Sequence, residues 1–88
     1  MRVALVTGGG RGIGRAIARA LAGPDTYVIV TGRTKSHLES TALDLQSLGG
    51  QALAVTMDVT SGDGVARAMK EVRAAVSHVD VLVNNAGV

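Results

Sequence analysis

The chain has no cysteine, tryptophan or phenylalanine, and only one tyrosine and one proline in 88 residues. Without cysteine there is no disulfide, no thiolate nucleophile and no Cys-based metal site. With Tyr27 as its only aromatic residue it cannot assemble a base-stacking surface. The net charge of +2 is too small and too scattered for a nucleic-acid footprint. No apolar run approaches the roughly 18 residues of a membrane span. The start, "MRVALVTGGG", has too short an apolar stretch for a secretory leader. A cytoplasmic protein that engages neither nucleic acid nor membrane is expected. His37 and His78 have no partner at metal-ligand spacing and read as solvated helix residues.

What remains is the composition of a globular domain, 47% hydrophobic and 18% charged. A chain of this length buries only about 60–65% of its unfolded surface, so its core is small. Short apolar runs alternate with amphipathic stretches, the pattern of βαβ units around a parallel sheet. "RVALVT" (Arg2 to Thr7) reads as a first strand, apolar on both faces. Ile13, Ile17, Ala20 and Leu21 then recur at helical spacing, opposite Arg15 and Arg19, until Gly23-Pro24 stops the helix. "TYVIVTG" (Thr26 to Gly32) is a second buried strand. Ser36 with Glu39 has capping-box spacing, and Leu38, Ala42, Leu45 and Leu48 form the stripe behind it. Gly49-Gly50 closes that helix. A third strand is expected at about Ala52 to Thr56. A third helix follows, capped by Thr60 with Asp63 and striped by Val65, Met69, Val72 and Val76. Val81 to Asn84 supply a fourth strand. The expected architecture is α/β: a Rossmann-like, doubly wound parallel sheet of four strands in order 3-2-1-4 with three helices. In that order "VDVLV" lies at an edge and exposes apolar surface that natural sheets avoid. An incomplete domain is therefore expected, with residues 1–88 its N-terminal part, and self-association through the fourth strand when it stands alone.

Against this background, "VTGGGRGIG" places five glycines in nine residues between the first strand and the first helix. Such a turn presents backbone N–H groups and a helix N-terminus at the end of the sheet, a ready site for a phosphate group. The spacing from Gly9 to Gly14 suits a P-loop, but Arg15 and Ala16 stand where lysine and a hydroxyl belong. G-x-G-x-x-G fails as well, since Ile13, Arg15 and Ile17 fall at the third position counted from Gly8, Gly10 and Gly12. The pattern that fits is T-G-x-x-x-G-x-G, as Thr7, Gly8, Gly12 and Gly14. Two more stretches accompany it: Asp58-Val59 after the third strand, and "NNAG", Asn84 to Gly87, ending the fourth.

These three motifs, in this order at strand–helix junctions, resemble the short-chain dehydrogenase/reductase family. The resemblance implies that Gly8, Gly12 and Gly14 shape a turn on which a dinucleotide pyrophosphate lies, with Gly10, Arg11 and Ile13 lining it. It further implies that Asp58 accepts a hydrogen bond from the adenine amino group and Val59 packs on the ring. Asn84, Asn85, Ala86 and Gly87 would border the adenosine ribose and brace the sheet. Taken singly, Asp58 reads as a plain strand-end aspartate, and Asn84 and Asn85 as turn chemistry.

An acidic residue after the second strand usually carries NAD specificity. Here "VTGRT" puts Gly32 at that place and Arg33 next. A guanidinium can grip a 2′-phosphate in a fork, and Arg11 adds a second positive charge nearby. In the family, bases at these positions go with NADP, so NADP(H) is expected over NAD; the alternative is that both arginines are solvated loop residues. The family's hydride transfer uses a Tyr-x-x-x-Lys pair, a serine and a later asparagine. Tyr27 is followed four residues on by Thr31, and Ser36, Ser40, Ser47, Ser61 and Ser77 fall in expected helices or their caps. No catalytic residue is assigned. Three readings follow: the cofactor-binding part of a reductase acting on a ketone, aldehyde or secondary alcohol, a non-catalytic nucleotide-binding or interaction module, or an inactive truncated product.

Overall fold

The computed structural model describes residues 1–10, 12–58 and 60–85. In chain order the elements are β1 (Arg2–Thr7), α1 (Gly12–Leu21), β2 (Thr26–Gly32), α2 (Lys35–Ser47), β3 (Gln51–Thr56), α3 (Gly62–Ala75) and β4 (Val81–Asn84). All strand pairs are parallel, in the order β3-β2-β1-β4. Thr7 of β1 stands level with Thr31 of β2 and Asn84 of β4, so the C-terminal strand ends form one rim. The expected topology is the observed one.

Side chains alternate across the sheet and build two apolar layers. On one face Val6, Val28 and Val30 pack with Ala18 of α1 and with Leu38 and Leu45 of α2. On the other, Val3, Leu5, Ile29, Val55 and Met57 pack with Ala68 and Val72 of α3. At the opposite end from the rim, Asp80 fastens β4 to β1. Its carboxylate accepts the Val3 N–H at 2.8 Å, and its own N–H donates to the Val3 carbonyl at 2.8 Å.

Several local expectations shift. In α1 Gly14 and Ala18 are buried and Ile17 and Leu21 pack against the core as expected, while Ile13 is 66% exposed and Ala20 is also exposed. The first turn of α1 sits over the rim, where glycine rather than isoleucine meets the strand end. Helix α2 begins at Lys35 with Thr34 at its N-cap and no side-chain cap, so Ser36 lies inside the helix and forms no capping box. Its C-terminus carries a Schellman motif: the N–H of Gly49 (φ 87°) reaches the Gln46 carbonyl, and that of Gly50 the Leu45 carbonyl. Leu48 falls in this turn and is exposed rather than buried. The cap of α3 is Ser61, not Thr60: Ser61 Oγ accepts the Gly64 N–H at 3.2 Å. Thr60 is engaged elsewhere, its hydroxyl and N–H both donating to Asp58 Oδ1. Val76 and His78 follow α3 instead of extending it, and His78 Nε2 lies 3.0 Å from Asp80 Oδ2.

Candidate functional site

The rim gathers most of the residues singled out in the sequence. β1 ends at Thr7, whose hydroxyl accepts the Asn85 N–H at 2.9 Å and lies 3.3 Å from the Val83 carbonyl and 3.2 Å from Asn84 Oδ1. One hydroxyl thereby joins the ends of β1 and β4. The turn begins with Gly8 at φ 69° and enters α1 through Gly12 at φ 62°, backbone conformations that disfavour residues with a Cβ. Gly14 answers a different need. A methyl group there would overlap the Gly8 carbonyl oxygen and come within 2.7 Å of Asn85 Nδ2. The first turn of α1 can therefore sit directly on the end of β1 only with glycine at 14.

The polarity of the turn follows from where its carbonyls go. The Gly8 carbonyl faces Asn85 Nδ2 in a long 3.4 Å contact, and the Gly10 carbonyl accepts a hydrogen bond from Thr41 Oγ1 at 3.1 Å. The Gly9 N–H donates to the Thr31 carbonyl at 3.1 Å, tying the turn to β2. Above it opens the N-terminus of α1, whose first N–H groups have no partner within the helix and whose first turn holds no acidic residue. This is an anion-accepting geometry. Arg15 does not enter it: with Arg19 it pairs to Asp44 on α2, and the Arg19 hydrogen bond holds the Asp44 carboxyl below its ordinary value.

Arg33, exposed, leaves the end of β2 beside Asp58 at the end of β3; the Met57 N–H donates to the Gly32 carbonyl at 2.7 Å and holds the two ends together. The Thr60 hydroxyl and then the Thr60 N–H lower the Asp58 pKa, desolvation pushes it back up, and the Arg33 charge adds the smallest lowering. Asp58 is thus an anionic acceptor with Oδ1 engaged by Thr60. Of the remaining sequence-derived candidates, Ile13 stands exposed on the first turn of α1. Arg11, Val59, Ala86 and Gly87 lie outside the described residues. Thr41 was not singled out in the sequence, although a signal was present. It falls between Leu38 and Leu45 on the buried stripe of α2, where a hydroxyl needs a partner.

The model of the short chain dehydrogenase family matches residues 2–88. The chain belongs to that family. Over 88 residues it is 40% identical to the 3-oxoacyl-[acyl-carrier-protein] reductase FabG of Aquifex aeolicus, covering 99% of this chain and 36% of that protein. A metagenomic short-chain oxidoreductase in complex with NADP superposes with a TM-score of 0.90 at 41% identity, over 99% of this chain and 39% of that one. An actinorhodin polyketide ketoreductase variant with NADPH superposes equally, at 40% identity, over 99% and 33% of the two chains. This short-chain dehydrogenase chain spans about a third of the length of the relatives it matches. Among its described residues no helix is long and apolar enough to cross a membrane, and no three His, Asp or Glu side chains form a metal-binding group. Tyr27 packs against the core under α3, Ser36, Ser40, Ser47 and Ser77 are exposed, and Ser61 is occupied as a cap.

Proposed function

We propose that residues 1–88 are the N-terminal, NADP(H)-binding part of a short-chain dehydrogenase/reductase that transfers hydride between NADPH and a ketone, aldehyde or secondary alcohol. The observation that carries this reading is the seating of Gly14 against the Gly8 carbonyl, which brings the α1 N-terminus onto the end of β1. The turn fits a pyrophosphate: two of its carbonyls, Gly8 and Gly10, face side-chain donors, and helix N–H groups remain for the anion. When bound, the nicotinamide supplies or accepts the hydride.

In this reading Gly8, Gly12 and Gly14 shape the turn, while Gly10, Arg11 and Ile13 border the phosphates. Thr7 holds the rim together and sets the position of Asn85. Asp58 accepts from the adenine amino group, a role suited to a carboxylate whose pKa is lowered. Val59 packs on the adenine, and Asn84, Asn85, Ala86 and Gly87 flank the adenosine ribose. Arg33, with Arg11, receives the 2′-phosphate, and this favours NADPH over NADH. The exposure of Arg33 and the lack of an acidic side chain at Gly32 support the preference.

Titration of the protein and of Arg33→Asp with NADPH and NADH tests both levels. A charged hydrogen-bonded pair contributes about 1.5–3 kcal/mol, so the NADPH-to-NADH preference should fall roughly 10- to 100-fold in the variant. An unchanged ratio would remove the assignment of Arg33, and no binding of either dinucleotide to the parent would remove the cofactor reading itself.

A further inference from the structure

The cofactor turn is held from a side that the family motifs do not mention. Thr41 sits in the middle of α2, completely buried between Leu38 and Leu45, and its hydroxyl crosses to the Gly10 carbonyl 31 residues earlier in the chain. His37, one turn before it, presses on the same glycine: a Cβ placed on Gly10 would meet His37 Cβ at 3.0 Å. Helix α2 thus lies against the glycine turn through the Thr41 hydrogen bond and the packing of His37 and Leu38 on Gly10.

A glycine-rich segment has many backbone states of similar energy, and only some of them suit an anion. A phosphate oxygen is attracted by N–H groups and repelled by carbonyl oxygens, so a carbonyl that rotates into the cradle works against binding. Thr41 removes that alternative for Gly10 by taking its carbonyl as an acceptor, while Asn85 faces the carbonyl of Gly8. We propose that Thr41 is a positioning residue for the pyrophosphate turn, acting through Gly10 rather than by touching the cofactor. The proposal rests on the cofactor-binding reading above. It also gives α2 a double part, since the segment that leads into this helix carries Arg33.

The pyrophosphate is common to both nicotinamide dinucleotides, whereas the 2′-phosphate is not. Loss of the Thr41 hydroxyl should therefore weaken both cofactors by the same factor and leave their ratio unchanged, the opposite of Arg33→Asp. Thr41→Val keeps the shape and removes the donor; Thr41→Ser keeps the donor and removes a methyl group. One neutral hydrogen bond corresponds to about a 2- to 10-fold change in an equilibrium. The dissociation constants of NADPH and NADH, measured well below the unfolding transition, should both rise by about that factor in Thr41→Val and return towards the parent value in Thr41→Ser. Should Thr41→Val not fold, Thr41→Ala takes its place in the comparison with Thr41→Ser. Parent-like affinities in the hydroxyl-free variant, a loss that serine does not restore, or a loss confined to NADPH would each overturn the proposal while leaving the cofactor reading intact. A parent protein that binds neither dinucleotide would instead remove the reading on which the proposal rests.

Discussion

The two faces of the sheet are built from the same kinds of residue and treated differently. On the face of α1 and α2, apolar side chains from all four strands are covered or partly covered: Ala52 and Ala54 of β3, Val28 and Val30 of β2, Val6 of β1 and Val83 of β4. On the face of α3 the cover extends over β3, β2 and β1, but Leu82 of β4 is 64% exposed. Leu82 and Val83 are neighbours in sequence, in one strand, with similar hydrophobicity. Strand alternation points them to opposite faces, and helix placement alone decides which is buried. The covered face also carries the glycine turn, because Gly14 of α1 seats against the Gly8 carbonyl and Thr41 of α2 reaches the Gly10 carbonyl.

The largest effect should come from weakening the covered face. Leu45→Ala removes a fully buried side chain beneath α2 and should cost about 2–5 kcal/mol, enough to unfold a chain this small at modest urea. A denaturation midpoint close to that of the parent would show that α2 is held mainly by its polar contacts, Thr41 and Asp44. A smaller loss is expected on the other face. Ser61→Ala deletes the cap of α3, worth about 1 kcal/mol, and Ser61→Thr should retain most of it. If alanine matched serine in thermal unfolding, the first turn of α3 would depend on its packing alone. The smallest effect belongs to Leu82→Lys, which should move stability by no more than about 0.5 kcal/mol. A large destabilisation would mean that β4 is covered in solution, by another copy or another segment, and light scattering on both proteins would tell which.

Much of the fold could be read along the chain. β1, β2 and β4 begin and end where the apolar runs and turn residues place them, and β3 differs by one residue at its start. Gly49 closes α2 with a positive φ, as a glycine after a helical stripe should. The placement of the candidate residues was legible to a similar depth, for Thr7, Gly8, Gly12, Gly14, Asn84 and Asn85 converge on the rim. Caps were less legible. Both expected capping pairs have the right letters at the right spacing, yet Thr34 precedes α2 without a side-chain bond and Ser61 displaces Thr60. Thr60 was unavailable because Asp58, two residues earlier, holds both its hydroxyl and its N–H. Local competition among several polar residues is not resolved by spacing alone. Ile13 was misplaced for another reason: helical periodicity extends through the first turn of α1, but the sheet ends beneath it.

By itself, then, the sequence determined the order of elements, the parallel strand order and the place of the glycine turn between β1 and α1. These depend on periodicity and on backbone freedom at particular residues, both of them properties of short segments. Tertiary structure alone decided that Gly14 meets the Gly8 carbonyl, that Thr41 takes the carbonyl of Gly10, and that Leu82 stays exposed while Val83 does not. Each of these depends on how a helix docks against strands distant in sequence, and docking is set by the summed packing of many side chains rather than by any one motif.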